Sequence, residues 1–400
     1  MVTIFNIFRL IASSKILFLA RWYPDRYDPM MGLFIKRHAE VAAGFADVAV
    51  LYLRAAPEKP EGYFIQQSIE NQVVTTIVYY GTKSSLSPSL TKLVAGYRFA
   101  VAFTKGYRFL LETWGKPDII HVNILTRLGI FALWLRIFKG IRYVITEHWS
   151  RYLPITDTYK GIFRKLITKL IVLNASTVST VSENLAKAMQ SHGLTNRNYL
   201  VLPNVVDTDA YDIATDPIPK TKKRFMHISC FEDRSKNITG ILNAISKLAS
   251  VRSDFQCIMV GEGIDLEKMK SLAKQLGLNE SQVKFNGLLE DESLIKAYQS
   301  ADFMVMFSNY ENMPVVISES LSCGLPVVAT SVGGIPEYIN QNNGRLVAAG
   351  DEKALLEEIS FMLDHFSVFD KFQIRQNAVE IFGKQAVAKK LQELYGFVSH

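Results

Sequence analysis

Ser308–Glu337 reads SNYENMPVVISESLSCGLPVVATSVGGIPE, and its order of residue types decides the fold. It follows the short apolar run Phe303–Phe307, which predicts a strand. Pro314 suits the first turn of a helix, predicted over 314–323 and ended by Gly324. Val327–Ala329 then starts a second strand. Short, almost uniformly apolar strands separated by helices are the pattern of a parallel sheet buried on both faces. Two carboxylates sit within this unit, Glu311 in the loop and Glu319 one to two turns into the helix. At 1.5 Å per residue their spacing spans at most ~12 Å, about the reach from a sugar ring across a diphosphate to a ribose. The free N–H groups of Asn312, Met313 and the following turn would face an anion, which the helix dipole favours. A carboxylate inside the helix could accept both ribose hydroxyls. In isolation, such a pair is ordinarily two solvated glutamates flanking a helix.

The same alternation runs outward in both directions. Lys15–Ala20, Val48–Leu53, Val73–Tyr80, Asp118–Val122, Arg142–Thr146 and Thr177–Val181 read as strands. Helices are expected at Leu33–Ala43, closed by Gly44, and at Leu90–Thr113, Arg127–Phe138, Tyr159–Leu170 and Ser182–Gln190. The pattern pauses at Pro203–Lys223, where Asp207, Asp209, Asp212 and Asp216 sit among prolines. It restarts with Phe225–Ser229, Phe255–Val260 and Val283–Phe285, with helices near 238–249, 265–275 and 291–299. This predicts α/β architecture with two doubly wound, Rossmann-like domains whose strand carboxyl ends face a shared cleft. The expected division is an extension at 1–14, an N-terminal domain at 15–205, a C-terminal domain at 206–380, and a last helix within 381–400 that can cross back to the first domain.

The motifs resemble the retaining glycosyltransferases of the GT-B fold, the large family 4 group. That family carries a Glu-x7-Glu motif, met here by Glu311 and Glu319. A small-Gly-x-Pro-Val-Val stretch follows at Cys323–Val328, then a Gly-Gly-x-x-Glu turn at Gly333–Glu337. Trp22-Tyr23-Pro24 with Gly32 is similar to the first strand-to-helix loop. Pro117–His121, Val144–His148, Val181–Leu185 and Leu202–Asp207 match further N-terminal signals, and Arg234–Asn237, Val260–Gly263 and Phe285–Gly287 match loops flanking the nucleotide. The resemblance runs from about residue 15 to the C-terminus. It implies His148, Glu311 and Lys236 as catalytic residues. It implies donor contacts from Gly32, Arg234, Lys236, Gly261, Gly263, Asn286, Gly287, Asn312, Met313, Pro314 and Glu319. Cys230 stands where the family often has an Arg, so the second cation would fall to Arg234. The implied reaction moves a sugar from a nucleotide-diphosphate donor to a hydroxyl acceptor with retention, the leaving phosphate taking the acceptor's proton. No metal or other cofactor is implied, because Lys, Arg and helix N-termini can stabilise the leaving diphosphate. His121, though also at a strand end, reads as structural. Same-fold rivals are a sugar-nucleotide epimerase or a phosphorylase, and a different-class rival is a non-catalytic binding scaffold.

Composition bounds the rest. The 400 residues are 48% hydrophobic and 21% charged, which excludes a disordered chain. Three cysteines, without metal-ligand spacing, exclude a disulfide framework and favour a reducing compartment, so a cytoplasmic location is expected. No run is long and apolar enough for a transmembrane helix. The net charge of +7 hides a split. Residues 1–200 carry 25 Lys+Arg and 12 Asp+Glu (25 − 12 = +13), and residues 201–400 carry 20 and 26 (20 − 26 = −6). Lys92, Arg98, Lys105 and Arg108 punctuate an apolar helix, and Arg136, Lys139, Arg142, Lys160, Arg164, Lys165 and Lys169 follow. Cations interleaved with apolar residues suit a peripheral position on an anionic membrane. That suits a glycan or lipid-linked acceptor of the cell envelope. Nucleic acid is not expected, because no recognition motif accompanies the charge.

Overall fold

The computed structural model describes residues 14–56, 62–81, 88–125, 127–215 and 220–398. The expected extension therefore lies outside the described residues apart from Ser14, as do Asp216, Pro217 and Pro219 of the expected boundary.

The first sheet contains β1 (Lys15–Ala20), β2 (Asp47–Ala56), β3 (Tyr63–Glu70), β4 (Val73–Gly81), β5 (Ile119–Asn123), β6 (Arg142–Glu147), β7 (Thr177–Thr180) and β8 (Tyr199–Val201). Its order is β3-β4-β2-β1-β5-β6-β7-β8. All neighbours run parallel except β3, which pairs antiparallel with β4. The second sheet contains β9 (Lys223–Ile228), β10 (Phe255–Val260), β11 (Val283–Gly287), β12 (Phe303–Met306), β13 (Val327–Thr330) and β14 (Gly344–Val347). Its order is β11-β10-β9-β12-β13-β14, all parallel. The protein is thus two doubly wound domains of the GT-B kind. Strand order reverses between β1 and β5 in one sheet and between β9 and β12 in the other. Ligands of such sheets bind outside the strand carboxyl ends at that reversal.

Strands buried on both faces announce themselves as apolar runs, and β1 and β12 are such runs. Three strands escape that signal. β3 is an edge strand with mostly exposed, polar side chains, β8 is three residues long, and β14 mixes Gly344 and Arg345 with two apolar residues. Helix ends also move slightly. Gly161, at φ 98°, starts the helix expected at Tyr159 only at Ile162, and it runs to Asn174. Pro314 stands just ahead of the helix Val315–Ser322, as its N-cap, rather than inside its first turn. Gly44 closes its helix in the right-handed region, so no left-handed glycine is needed there.

The chain crosses between the domains twice. After β8 it passes through Val205 and Val206, and it returns at Gly383 into the helix Lys384–Gly396. That helix packs Val387, Leu391, Leu394 and Tyr395 into the apolar cluster beneath β1 and β2. Tyr395 Oη meets His121 Nδ1 at 2.8 Å, and Thr146 Oγ1 holds the other ring nitrogen at 2.6 Å. Val206 N donates to Phe382 O at 2.9 Å, tying the two crossings together.

Candidate active site

Lys236 lies in the turn after β9, and Glu311 lies in the loop after β12. The reversal of strand order brings them together: Lys236 Nζ and Glu311 Oε1 form an ion pair at 2.5 Å. Ser308 Oγ donates to the same carboxylate oxygen at 2.9 Å. Both charged side chains are largely buried, 15% and 10% exposed. Burial alone would lower the Lys236 pKa, but Glu311, Cys230 and Tyr310 outweigh it and the net direction is up. Lys236 therefore keeps its charge in a half-dry setting, where a phosphate oxygen would feel it strongly.

The facing wall comes from the N-terminal domain. His148 follows β6 directly and is 8% exposed. Its ring lies 4.6 Å from that of Phe34 and 5.6 Å from that of His38. Burial first, then the nearby His38 and His121, push its pKa well below the ordinary value. Neither ring nitrogen has a hydrogen-bond partner among the described residues. A neutral imidazole of this kind can give or take a hydrogen bond from a sugar hydroxyl. Glu147, just before it, is spent on backbone: its carboxylate accepts from His148 N, Trp149 N and Leu125 N at 2.9–3.0 Å. That fixes the loop carrying His148 and joins the ends of β5 and β6. Gly32, at φ 69°, lets the helix Leu33–Ala43 begin against the Trp22–Tyr23 backbone; a Cβ there would sit 2.5 Å from the Trp22 carbonyl.

Between the walls is a cleft of about 520 Å³. Trp22, Phe34, His148 and Trp149 line one side, and Cys230, Lys236, Glu311, Asn312, Met313 and Pro314 line the other. Contacts across it fix the domain pairing. Asn312 Nδ2 donates to His148 O at 2.6 Å, and Asn204 Nδ2 donates to Met313 O at 3.3 Å. The carboxylate of Glu337 accepts from Glu183 N and Asn184 N at 2.8 and 2.7 Å, at the positive end of the helix Glu183–Ser191. Gly333 must be a glycine here, because a Cβ would meet Glu311 O at 1.8 Å.

The structure places the other residues singled out in the sequence around this cleft rather than on its walls. Gly261 N donates to Gly287 O at 2.8 Å, and Gly263 packs against the Phe231 backbone, so the turns after β9, β10 and β11 converge. Asn286 is exposed on β11. Arg234 is exposed, and its carbonyl accepts from Asn309 Nδ2 at 3.0 Å; the cleft position belongs to Cys230. The carboxylate of Glu319 is engaged elsewhere. Arg37 Nη1 reaches it at 2.9 Å from the other domain, and Tyr298 Oη at 3.1 Å. The sequence reading missed Arg37, Asn204, Trp149 and the role of Glu337 as a cap. Asn204 and Glu337 lie within motifs legible in the sequence, Leu202–Asp207 and Gly333–Glu337, whereas Arg37 and Trp149 had no local signal.

Two family profiles match the chain. Glycosyltransferase Family 4 covers residues 47–210, and Glycosyl transferases group 1 covers residues 212–378. The chain belongs to the GT-B glycosyltransferases of the family 4 type. The N-acetyl-alpha-D-glucosaminyl L-malate synthase of Bacillus anthracis is 24% identical over 290 residues, 70% of this chain and 74% of that protein. The phosphatidyl-myo-inositol mannosyltransferase of Mycobacterium leprae is 25% identical over 298 residues, 73% of this chain and 76% of that protein. Among solved structures, the sucrose-phosphate synthase of Thermosynechococcus elongatus superposes with a TM-score of 0.77 at 19% identity, over 96% of this chain and 99% of that one. Anabaena HepE in complex with UDP and glucose gives 0.72 at 19% identity, over 95% and 98%. The protein is a glycosyltransferase.

Proposed function

We propose that this glycosyltransferase uses a nucleoside-diphosphate sugar, retains the anomeric configuration, and transfers to a hydroxyl of a glycan or glycolipid of the cell envelope. The observation that carries the reading is the pairing of Lys236 with Glu311 opposite His148. In this reading Lys236 meets the diphosphate and stabilises charge as the bond to the sugar breaks. Glu311 holds the lysine and faces the sugar ring. His148, neutral, bonds a sugar hydroxyl from the other side. The N–H groups at the start of the helix Val315–Ser322 favour the phosphates. The leaving phosphate takes the acceptor's proton, so attack and departure share one face. A UDP complex of a structural neighbour supports a nucleotide donor. Ribose contact by Glu319 would require Arg37 to share or release that carboxylate.

No group of three or more potential metal-ligating side chains occurs among the described residues, and the reading assigns no step to a metal. The test is transfer measured with a panel of nucleotide sugars, with and without chelator. Lys236→Ala should lower turnover by roughly 10²–10³. Chelator should leave the wild-type rate unchanged, and a strict need for magnesium or manganese would defeat the metal-free step.

The membrane reading rests on a specific surface. No helix among the described residues is long and apolar enough to cross a membrane. The helix Ile162–Asn174 buries only Ile171 and Val172, and it exposes Ile162, Phe163, Leu166 and Leu173 to 60% or more. The neighbouring helix Leu128–Lys139 exposes Ile137 and Phe138. Neither helix contains an acidic residue, while Arg136, Lys139, Arg164, Lys165 and Lys169 lie on them. An anionic bilayer matches both properties. The helix Pro88–Thr113 fits less well than its sequence suggests, since Arg98 is spent on Gly81 O at 2.9 Å.

A further inference from the structure

The reversal of strand order in the N-terminal sheet carries an unused cluster of arginines. Arg21 follows β1 directly. Arg127 opens the helix after β5, and Arg151 lies four residues beyond β6. These three strands are adjacent, with Ala20 beside Asn123 and Asn123 beside Thr146, so their loops leave the sheet side by side. No ion pair joins any of the three guanidinium groups to a carboxylate among the described residues. The Nε atoms of Arg21 and Arg151 are buried and have no hydrogen-bond partner. Burial, and after it Arg127, press the Arg21 pKa down; burial, then Arg164 and Arg21, press the Arg151 pKa down. The carboxylate that touches this cluster electrostatically is Glu147, which is already committed to three backbone N–H groups.

Gathering like charges against each other, partly out of water, costs folding free energy. Such a cost is tolerated where a counter-charge binds. The cluster also adjoins the cleft. Arg151 lies 3.6 Å over the Trp149 ring, Trp149 is 5.4 Å from Trp22, and both tryptophans line the cleft. A planar guanidinium stacked on a fixed indole is already oriented for bidentate contact with an oxyanion.

We propose that Arg21, Arg127 and Arg151 form an anion subsite for the acceptor, so that the hydroxyl glycosylated in the cleft belongs to a molecule bearing a phosphate or carboxylate. The site sits at the switch point of the N-terminal sheet, as Lys236 sits at that of the other, giving the cleft one cationic pole on each side. The tryptophan wall between them would take the apolar face of the acceptor's ring or chain. This rests on the glycosyltransferase reading of the cleft.

Trp149 provides the readout, since an anion drawn to Arg151 must alter its fluorescence. Inorganic phosphate and a hexose 6-phosphate should each give a saturable change, and chloride at equal ionic strength and the unphosphorylated hexose should not. Arg21→Gln and Arg151→Gln should each raise the apparent dissociation constant about tenfold or more, on the scale of one charge-assisted contact. UDP affinity, measured separately on the same proteins, should stay as in wild type. Vesicles of phosphatidic acid, compared with the soluble hexose phosphate, separate a lipid headgroup from a free phosphorylated acceptor. Absence of saturable phosphate binding, or equal binding by both variants with folding intact by circular dichroism, would overturn the subsite. Loss of UDP binding in wild type would instead defeat the donor reading and leave the anion measurement interpretable.

Discussion

The two domains share a topology and differ in how they treat charge. The C-terminal domain neutralises its buried ions in pairs: Lys236 with Glu311, Lys220 with Asp302, and Glu319 with an arginine borrowed from its neighbour. The N-terminal domain pairs Arg54 with the buried Asp25, but among the described residues it leaves Arg21, Arg127 and Arg151 at its strand ends without an ion pair, and it buries three histidines, His38, His121 and His148, with no acid bonded to their rings. The C-terminal domain buries one, His227. The difference teaches that one half is built to hold a fixed ligand environment, while the other carries electrostatic strain that a ligand or surface can relieve.

Acid should break the comparison most visibly. Burial pushes His38 and His227 down to about 4, and pushes His121 and His148 well below the ordinary value. Their folded pKa values are depressed, so the unfolded chain takes up protons first. Their stabilisation is whole above about pH 6.5 and is lost as pH falls below it. The N-terminal domain carries three such histidines against one in the other, so it should lose more stability as pH falls below about 6.5. Burial pushes Glu147 the opposite way, up, which offsets part of that loss. Hydrogen exchange at pH 7 and pH 5, corrected for intrinsic chemistry, should show the N-terminal sheet opening first. Uniform loss of protection across both sheets would remove the asymmetry.

The surface of the N-terminal domain offers a middle-sized test. Neutralising Arg164, Lys165 and Lys169 together should weaken binding to anionic vesicles by about 3 kcal/mol, roughly a hundredfold, because each cation near such a surface is worth about 1 kcal/mol. High salt should act alike, since the attraction fades within ~8–10 Å. Wild type that ignores anionic vesicles at low salt would return these helices to a partner of another kind, a second copy of the chain included.

The smallest effect concerns the seam. Glu337→Gln keeps one acceptor for the helix start but loses the charge, worth about 0.5–1 kcal/mol at an exposed helix end. Exchange protection at Glu183–Leu185 should fall a few-fold while the sheet interiors stay protected. No change at those amides would mean that other contacts hold the domains together.

What sequence could reveal follows the same division. Ser308–Glu337 was legible because its chemistry is local: carboxylate, helix start, glycine turn and strand follow one another within thirty residues. The central strands were legible because two-sided burial writes an apolar run. The polar edge strand β3 and three-residue β8 carry no such run. The Arg37–Glu319 pair joins residues 282 apart, and the arginines after β1, β5 and β6 become neighbours only once the sheet exists. Charge counting found the excess in the first half, but not its division between a membrane-like face and a cleft-side cluster.

The returning helix Lys384–Gly396 has a consequence for how the protein is made. Val387, Leu391, Leu394 and Tyr395 fill the side of the first sheet, and Tyr395 holds His121. During synthesis β1 to β8 emerge long before the helix that covers them. Domains usually complete in the order of translation. Here the order is inverted. The second domain can close on its own strands, while the first waits with an apolar trough open and a histidine half-bonded until the last turn of helix arrives.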